Sequence, residues 1–138
     1  MPNYHRARVK GSIYFFTVVL ADRTSTLLVD EIDSLRRSYQ MVRKRRPFET
    51  VAICILPDQL HALWTLPGSD VDFSTRWSLI KSGFSRGLPV TNHISASKTI
   101  KREKGIWQRR YWEHVIRDAT DLERHVDYIH FNPVSTGT

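Results

Sequence analysis

The amino-acid sequence predicts a single α+β domain in which four strands form an antiparallel sheet covered by helices. The length of 138 residues suits one domain spanning residues 1–138. Runs rich in β-branched and aromatic residues alternate with segments whose apolar residues recur at helical spacing. Hydrophobic residues make up 41% and charged residues 25% of the chain, so it can form a core and is not expected to be disordered.

The first half of the chain predicts a strand, a helix and a hairpin. The run SIYFFTVVLA (12–21) is typical of a buried strand. Asp30 is a suitable N-cap for the next helix, which must end before Pro47. The apolar stripe of this helix consists of Ile32, Leu35, Tyr39 and Val42. FETVAICIL (48–56) and LHALWTL (60–66) are predicted to pair as an antiparallel hairpin around a Pro-Asp turn.

The second half predicts a helix, a long loop, a fourth strand and a last helix. The helix after the PGSD loop has an apolar stripe formed by Phe73, Trp77, Ile80 and Phe84. Residues 87–105 have few apolar positions and are predicted to form a mobile surface loop. The fourth strand lies within 106–117, and the last helix is capped near Asp118 or Thr120 and ends before Pro133.

This order of elements predicts the fold. A βαββαβ core is the ferredoxin-like arrangement, an antiparallel sheet with helices packed on one face, and here a further C-terminal helix follows it. The fold hosts many unrelated activities and therefore does not indicate a function by itself.

Composition narrows the possible classes of protein. No apolar run approaches the ~20 residues of a membrane span, and the basic N-terminus lacks a signal-peptide pattern, so we expect a cytoplasmic protein. The single Cys54 excludes an internal disulfide and is expected to be an inert core residue. A net charge of +7 is typical of a polyanion binder, although charge alone leaves a merely basic surface equally open.

Two segments place polar residues together on one side of a predicted element. In LPDQLHALW (56–64), Gln59 and His61 share one face of a strand, roughly 7 Å apart. On the last helix, Tyr128 lies off the apolar stripe, and Asn132 follows it one turn later. That stripe consists of Leu122, Val126 and Ile129. Periodicity alone favours a boundary tyrosine and a boundary histidine.

Five short motifs, taken in their order along the chain, give further evidence about these residues. FFTVVL, LPDQLHALWTLP, FSTRWSLIK, IWQRRYWEHVIRD and HVDYIHFNPV occur in this order between about Tyr4 and Val134. Together they resemble the REP-associated tyrosine transposases, a bacterial branch of the single-tyrosine HUH endonucleases. Each motif alone is weak evidence, but the set in this order is highly specific.

The resemblance implies a ferredoxin-like enzyme that acts on single-stranded DNA beside a REP hairpin. Tyr128 corresponds to the nucleophile, which becomes linked to a 5′-phosphate and releases a 3′-hydroxyl. The 3′-hydroxyl of a second strand can then attack this link and rejoin the DNA. The histidine–hydrophobic–histidine motif corresponds to Gln59, Leu60 and His61, and a metal-binding amide corresponds to Asn132. The implied cofactor is Mg²⁺ or Mn²⁺. The expected assembly is a monomer or homodimer with no small-molecule substrate.

Gln59 departs from the family pattern, which has a histidine at this position. An amide oxygen is a weaker ligand than imidazole for Mn²⁺, although Mg²⁺ accepts it. The amide can ligate weakly, a water can replace it, or the metal can be lost. We therefore expect impaired cleavage with DNA binding less affected.

Basic and aromatic residues are candidate DNA contacts, because cations follow phosphates and aromatic rings stack on unpaired bases. The predicted contacts are Arg6, Arg8, Lys10, Arg76, Lys81, Arg109, Arg110, Trp112 and His125. His114 is expected to be a neighbour of the site or a DNA contact, and His125 and His130 to be solvated or phosphate-facing. Trp64 and Trp77 are expected in the core. A DNA-binding protein without catalysis and an RNA-binding domain are the alternatives.

Overall fold

A computed structural model describes residues 11–89 and 105–131 and contains a four-stranded antiparallel sheet. The strands are β1 (Ile13–Val19), β2 (Glu49–Ile55), β3 (Gln59–Thr65) and β4 (Trp112–Val115). The helices are α1 (Leu27–Asp30), α2 (Ile32–Arg45), α3 (Phe73–Arg86) and α4 (Ala119–His130). The strand order is β2-β3-β1-β4, and every neighbouring pair is antiparallel. The predicted ferredoxin-like arrangement is confirmed.

The start of the first long helix differs from the prediction. Asp30 is the last residue of the short helix α1, and its carboxylate accepts a hydrogen bond from the Thr26 hydroxyl at 2.6 Å. Glu31 occupies the N-cap position of α2 without a side-chain cap. The prediction of Asp30 as N-cap is therefore wrong, because its side chain is bonded back to the preceding turn.

The face of the sheet covered by α2 and α3 carries the main hydrophobic core. Trp64 on β3 stacks on Phe48 at a centroid distance of 4.0 Å and on Trp77 of α3 at 4.3 Å. Both tryptophans are fully buried, as predicted. α3 approaches α2 closely because Gly83 has no Cβ to collide with the hydroxyl of Ser38.

Helix α4 covers the opposite face of the sheet. Alternation along the strands sends Phe15, Cys54 and Leu63 to this side, where they form a second cluster with Leu56 and Ile129. The predicted stripe of α4 faces the sheet, with Ile129 buried and two flanking residues, Leu122 and Val126, partly buried. Asp118 caps the helix by accepting a 2.8 Å hydrogen bond from the backbone N–H of Asp121, as predicted.

Arg76 corrects one of the predicted DNA contacts. Its side chain is 2% exposed and donates hydrogen bonds to three backbone carbonyls and to the Asp70 carboxylate, which is 2.9 Å away. The carbonyls are those of Arg46, Pro47 and Asp72. Arg76 therefore fixes the start of α3 against the end of α2 and is not available to DNA.

Parts of two predictions lie outside the described residues. The predicted surface loop falls mostly on residues 90–104, and Pro133 lies beyond the described end of α4. Among the helices that the structure describes, none combines the length and apolar character needed to cross a membrane.

Candidate functional site

A row of side chains crosses the sheet on the α4 side. Cys54 on β2 pairs with His61 on β3, His61 pairs with Thr17 on β1, and Thr17 pairs with Trp112 on β4. Residues directly opposite each other in antiparallel strands share a face, so these four side chains lie in one line beneath or beside α4. His61 therefore lies on a strand, as predicted, and on the face of the sheet that α4 covers.

His61 is held in this row by neighbours on β1. Its Nδ1 lies 2.8 Å from the hydroxyl of Thr17, and the Phe15 ring is nearly parallel to the imidazole at a centroid distance of 5.7 Å. The residue is 2% exposed. Burial lowers the pKa of His61 to about 4, and the Asp58 carboxylate opposes this only in part. The imidazole is therefore neutral at neutral pH.

Tyr128 reaches His61 from α4. The phenol oxygen lies 3.4 Å from Nε2 of His61, and the two rings meet edge to face at 4.9 Å. Tyr128 remains 50% exposed, so its hydroxyl lies at the border between the sheet and solvent. The structure brings together the strand histidine and the helix tyrosine that the sequence analysis selected.

The other two predicted metal ligands are less fully described. Gln59 pairs with Val19 on β1 and shares the face of His61, two residues away, where it is partly exposed. Asn132 lies just outside the described residues, which end one position earlier at Phe131. Their roles as ligands stay predictions.

A second polar group, missed as a unit by the sequence analysis, lies next to this pair. The histidine–aspartate cluster consists of His114 on β4 and of Asp121 and His125 on α4. Nε2 of His114 is 2.8 Å from Oδ2 of Asp121, and Nδ1 of His125 is 3.2 Å from Oδ1. Hydrogen bonds from the backbone N–H of Arg117 and from His114 lower the pKa of Asp121 to about 2. The i, i+4 spacing of Asp121 and His125 was the only signal in the sequence.

His125 is a partly buried member of the histidine–aspartate cluster. Its ring stacks on His114 at 4.9 Å and contacts Phe15 at 4.5 Å, and its Nδ1 lies 2.8 Å from the main-chain carbonyl of Asp121. The ring packs against β1 and β4 and keeps 23% of the side chain exposed. Its solvated or phosphate-facing role stays a prediction.

The remaining predicted DNA contacts have mixed surroundings. Trp112 is 64% exposed, and both Arg109 and Arg110 are exposed. Lys81 is partly buried, bonds to the carbonyl of Gln108 at 3.1 Å and lies 5.9 Å from the centroid of the Tyr111 ring. The three N-terminal cations, Arg6, Arg8 and Lys10, lie outside the described residues. None of these roles is tested by the structure, and all stay predictions.

The lowered pKa of His61 indicates how the Tyr128–His61 pair can act. Because burial lowers the pKa of His61 to about 4, its imidazole accepts a proton poorly near neutral pH. His61 is therefore a poor general base. Its neutral form offers a lone pair, and the tautomer protonated at Nδ1 directs that lone pair from Nε2 toward the Tyr128 hydroxyl. This geometry suits a metal ligand beside an oxygen nucleophile.

Comparison with known proteins decides the family. No family model matches the chain. A protein of Haemophilus influenzae, provisionally described as a REP-associated tyrosine transposase, is 49% identical over 138 residues, covering 99% of this chain and 78% of the relative. The chain belongs to the REP-associated tyrosine transposase family. A family member from Escherichia coli, named as a REP-associated tyrosine transposase, is 42% identical over 137 residues, covering 99% of this chain and 75% of the relative.

Solved structures agree with this family assignment. A REP-associated tyrosine transposase bound to a REP hairpin matches with a TM-score of 0.81 and 43% identity, over 99% of this chain and 75% of that one. A Deinococcus radiodurans protein, provisionally described as a transposase, matches with a TM-score of 0.55 at 20% identity, over 89% of this chain and 92% of that one. The second likeness concerns the fold alone. The family resemblance inferred from the sequence motifs is confirmed.

Proposed function

We propose that this protein is a metal-dependent single-strand DNA endonuclease and strand transferase that acts beside REP hairpins through a 5′-phosphotyrosine intermediate. Family membership supports a DNA-processing enzyme, and a 43% identical relative has been solved with a REP hairpin bound. The observation that carries the proposal is the approach of the Tyr128 phenol oxygen to within 3.4 Å of Nε2 of His61.

The proposed reaction exchanges one phosphate ester for another. The phenol oxygen of Tyr128 forms a bond to phosphorus, the bond from phosphorus to the 3′-oxygen breaks, and the 3′-oxygen leaves as a hydroxyl. The phenol proton passes to water, since Tyr128 is half exposed and His61 is too weak a base, and the departing 3′-oxygen takes up a proton from water. Rejoining reverses the step when a 3′-hydroxyl attacks the phosphotyrosine. Because an ester bond is present throughout, no nucleotide cofactor is needed.

Three residues would hold the divalent ion. These are His61 through Nε2, Gln59 through its amide oxygen and Asn132 through its amide oxygen. The described part of the site fits this role, because the second nitrogen of His61 is anchored on Thr17 while Nε2 points toward the nucleophile. When bound, Mg²⁺ or Mn²⁺ would neutralise the nonbridging oxygens of the scissile phosphate.

Gln59 lowers the expected efficiency of this site. One neutral imidazole and two amides form a weaker ligand set for Mn²⁺ than two imidazoles and an amide. Loss of a ligand or of its support typically lowers metal affinity or activity ~10–100-fold. We propose that cleavage is slow and that hairpin binding is less affected.

DNA binding is assigned to the open side of the same row of side chains. Trp112 lies two strands away from His61, a separation of about 10 Å at the usual strand spacing. A base stacked on this exposed ring would therefore place its neighbouring phosphate near Tyr128. Arg109 and Arg110 precede the tryptophan and are suited to phosphate contacts.

The decisive experiment uses a labelled REP hairpin with a 5′ single-stranded flank, incubated with the full chain and Mn²⁺. We expect a covalent protein–DNA adduct that survives denaturation and is absent from Tyr128→Phe. Gln59→His should raise the yield of adduct about 10-fold or more. If Gln59→His leaves the yield unchanged, the assignment of residue 59 to the metal site is wrong.

A DNA-binding protein without catalysis is the second candidate, and Gln59 in the metal motif is the observation that favours it. Tight, salt-sensitive hairpin binding without an adduct, even after Gln59→His, would support this candidate. Equal binding of the matched RNA hairpin would instead support an RNA-binding role.

A further inference from the structure

Helix α4 presents Tyr128 to the sheet and is fixed there by apolar contacts and by one buried carboxylate. Among its residues, only Asp121 near the beginning and Ile129 near the end are buried. Ile129 packs into the second hydrophobic cluster together with the partly buried Leu122 and Val126, whereas Asp121 makes polar contacts. The Asp121 carboxylate is therefore the buried polar anchor of the first turn of the helix.

The Asp121 carboxylate connects α4 to β4 and to the turn between them. Oδ2 accepts a 2.8 Å hydrogen bond from the backbone N–H of Arg117 and lies 2.8 Å from Nε2 of His114. The guanidinium of Arg117 lies 3.7 Å from the same oxygen. Asp121 is 7% exposed, so water competes little for these contacts.

The cluster also contacts the rings around the nucleophile. Asp121, His125 and Tyr128 occur at i, i+4 and i+7 on one side of α4. His125 contacts the Phe15 ring at 4.5 Å, and Phe15 in turn contacts Tyr128 at 6.2 Å. The same phenylalanine stacks on His61. A shift of the cluster would therefore be transmitted both along the helix and through Phe15.

A metal site is the competing explanation of this cluster, since its three ligand atoms lie within 4.8 Å of one another. Two features oppose it. The carboxylate already accepts hydrogen bonds from two partners, and the neighbouring Arg117 guanidinium disfavours a cation.

We propose that Asp121 is a positioning residue that fastens the first turn of α4 to β4 and thereby holds the Tyr128 phenol beside His61. The inference rests on the proposed function, in which that phenol is the nucleophile. A misplacement of about 1 Å can slow a positioned reaction about 100-fold. Loss of the carboxylate should therefore slow adduct formation while leaving the DNA-binding surface around Trp112 in place.

The test compares Asp121→Asn with Glu123→Gln, which removes the same charge from an exposed position on the same helix. The first readout is the nuclear Overhauser contact between the rings of Tyr128 and His61, measured without DNA or metal. We expect the contact in the unmodified protein and in Glu123→Gln, and its loss in Asp121→Asn. His114→Leu removes one partner of Asp121 and should weaken the ring contact. This variant replaces Asp121→Asn in the test if Asp121→Asn does not fold.

The second readout is the rate of adduct formation compared with hairpin affinity. We expect Asp121→Asn to slow the adduct 10–100-fold with less than about a 2-fold change in Kd. A retained ring contact, a rate equal to that of Glu123→Gln, or a parallel loss of affinity would overturn the proposal. So would stoichiometric Zn²⁺ binding that Asp121→Asn abolishes and His61→Ala does not.

The two proposals can fail separately. If no adduct forms in the unmodified protein or after Gln59→His, the nuclease function fails, and the ring contact alone still decides the positioning role. If the adduct forms but the ring contact is unchanged in Asp121→Asn, the nuclease function stands and the positioning role is wrong.

Discussion

On one face of the sheet, Trp64 stacks between Phe48 and Trp77 in a continuous apolar core under α2 and α3. On the other face, a small apolar cluster shares the space with His61 and the histidine–aspartate cluster under α4. Large apolar burial makes the first face the main source of stability. The second face buries less and keeps polar groups near solvent, and the proposed DNA-processing site lies there. The main apolar core and the proposed site are thus on opposite faces of one sheet.

The largest expected effect is on the core face. Trp77→Ala should lower the free energy of unfolding by about 3–5 kcal/mol, because it removes a fully buried ring stacked at 4.3 Å on Trp64. Denaturant titration measures this loss. Trp77→Phe is the matched control and should cost much less, since among the described residues the indole N–H of Trp77 has no hydrogen-bond partner to lose. A loss below 1 kcal/mol for the alanine variant would contradict the division between the two faces.

The next effect concerns the buried arginine. Arg76→Met should destabilise the fold by about 2–4 kcal/mol, because carbonyls at the end of α2 and the Asp70 carboxylate lose their donor. Thermal unfolding and hairpin affinity are to be measured together with Arg109→Met, an exposed arginine next to β4.

Arg109→Met should show the reverse pattern, with weaker, less salt-sensitive hairpin binding and nearly unchanged stability. If Arg76→Met weakened DNA binding at unchanged stability, Arg76 would be a DNA contact, and the contrast between a structural Arg76 and a DNA-binding Arg109 would be wrong.

A smaller effect is expected from the protonation of His61. Its folded pKa of about 4 lies below the unfolded value near 6.5, so the unfolded state binds the proton first as pH falls. Stability should therefore decrease between pH 6.5 and pH 4, by about 3 kcal/mol at most, and this contribution should level off below pH 4.

The measurement is the difference in pH dependence between the unmodified protein and His61→Gln, which lacks the titrating group. The curves should diverge within this window and run parallel above pH 7. The lowered pKa of Asp121 acts in the same direction at lower pH: its stabilising contribution is present above pH 4 and is lost toward pH 2. Curves that ran parallel throughout pH 4–6.5 would show that His61 is not buried as a neutral ring.

Local patterns in the sequence were sufficient for the strands and the three long helices and for the side each presents to the core, but not for the short helix α1. The stripes of α2, α3 and α4 and the alternation of β3 follow from periods that any isolated element would show. The start of α2 was predicted wrongly because Asp30 has a nearby competing partner in Thr26. The preference of aspartate for N-cap positions does not show whether Asp30 bonds forward to the backbone of α2 or back to the Thr26 hydroxyl.

The site required more than these patterns. Periodicity alone favoured boundary roles for Tyr128 and His61, and only the family motifs indicated a pair. Asp121 and His125 are spaced i, i+4 in the sequence, but nothing in it indicated that His114 would meet them. Arg76 was predicted to contact DNA because it is basic, and nothing in the sequence indicated that its side chain would be buried against the carbonyls of Arg46 and Pro47.

By itself, the sequence determined the class of fold, the apolar faces and, through its ordered motifs, the family. Tertiary structure alone decided that a phenol and an imidazole 67 positions apart meet, and that an aspartate and two histidines join α4 to β4. The physical reason is that periodicity reports the surroundings of one element, whereas the meeting of two elements depends on strand register and on which side of the sheet a helix packs.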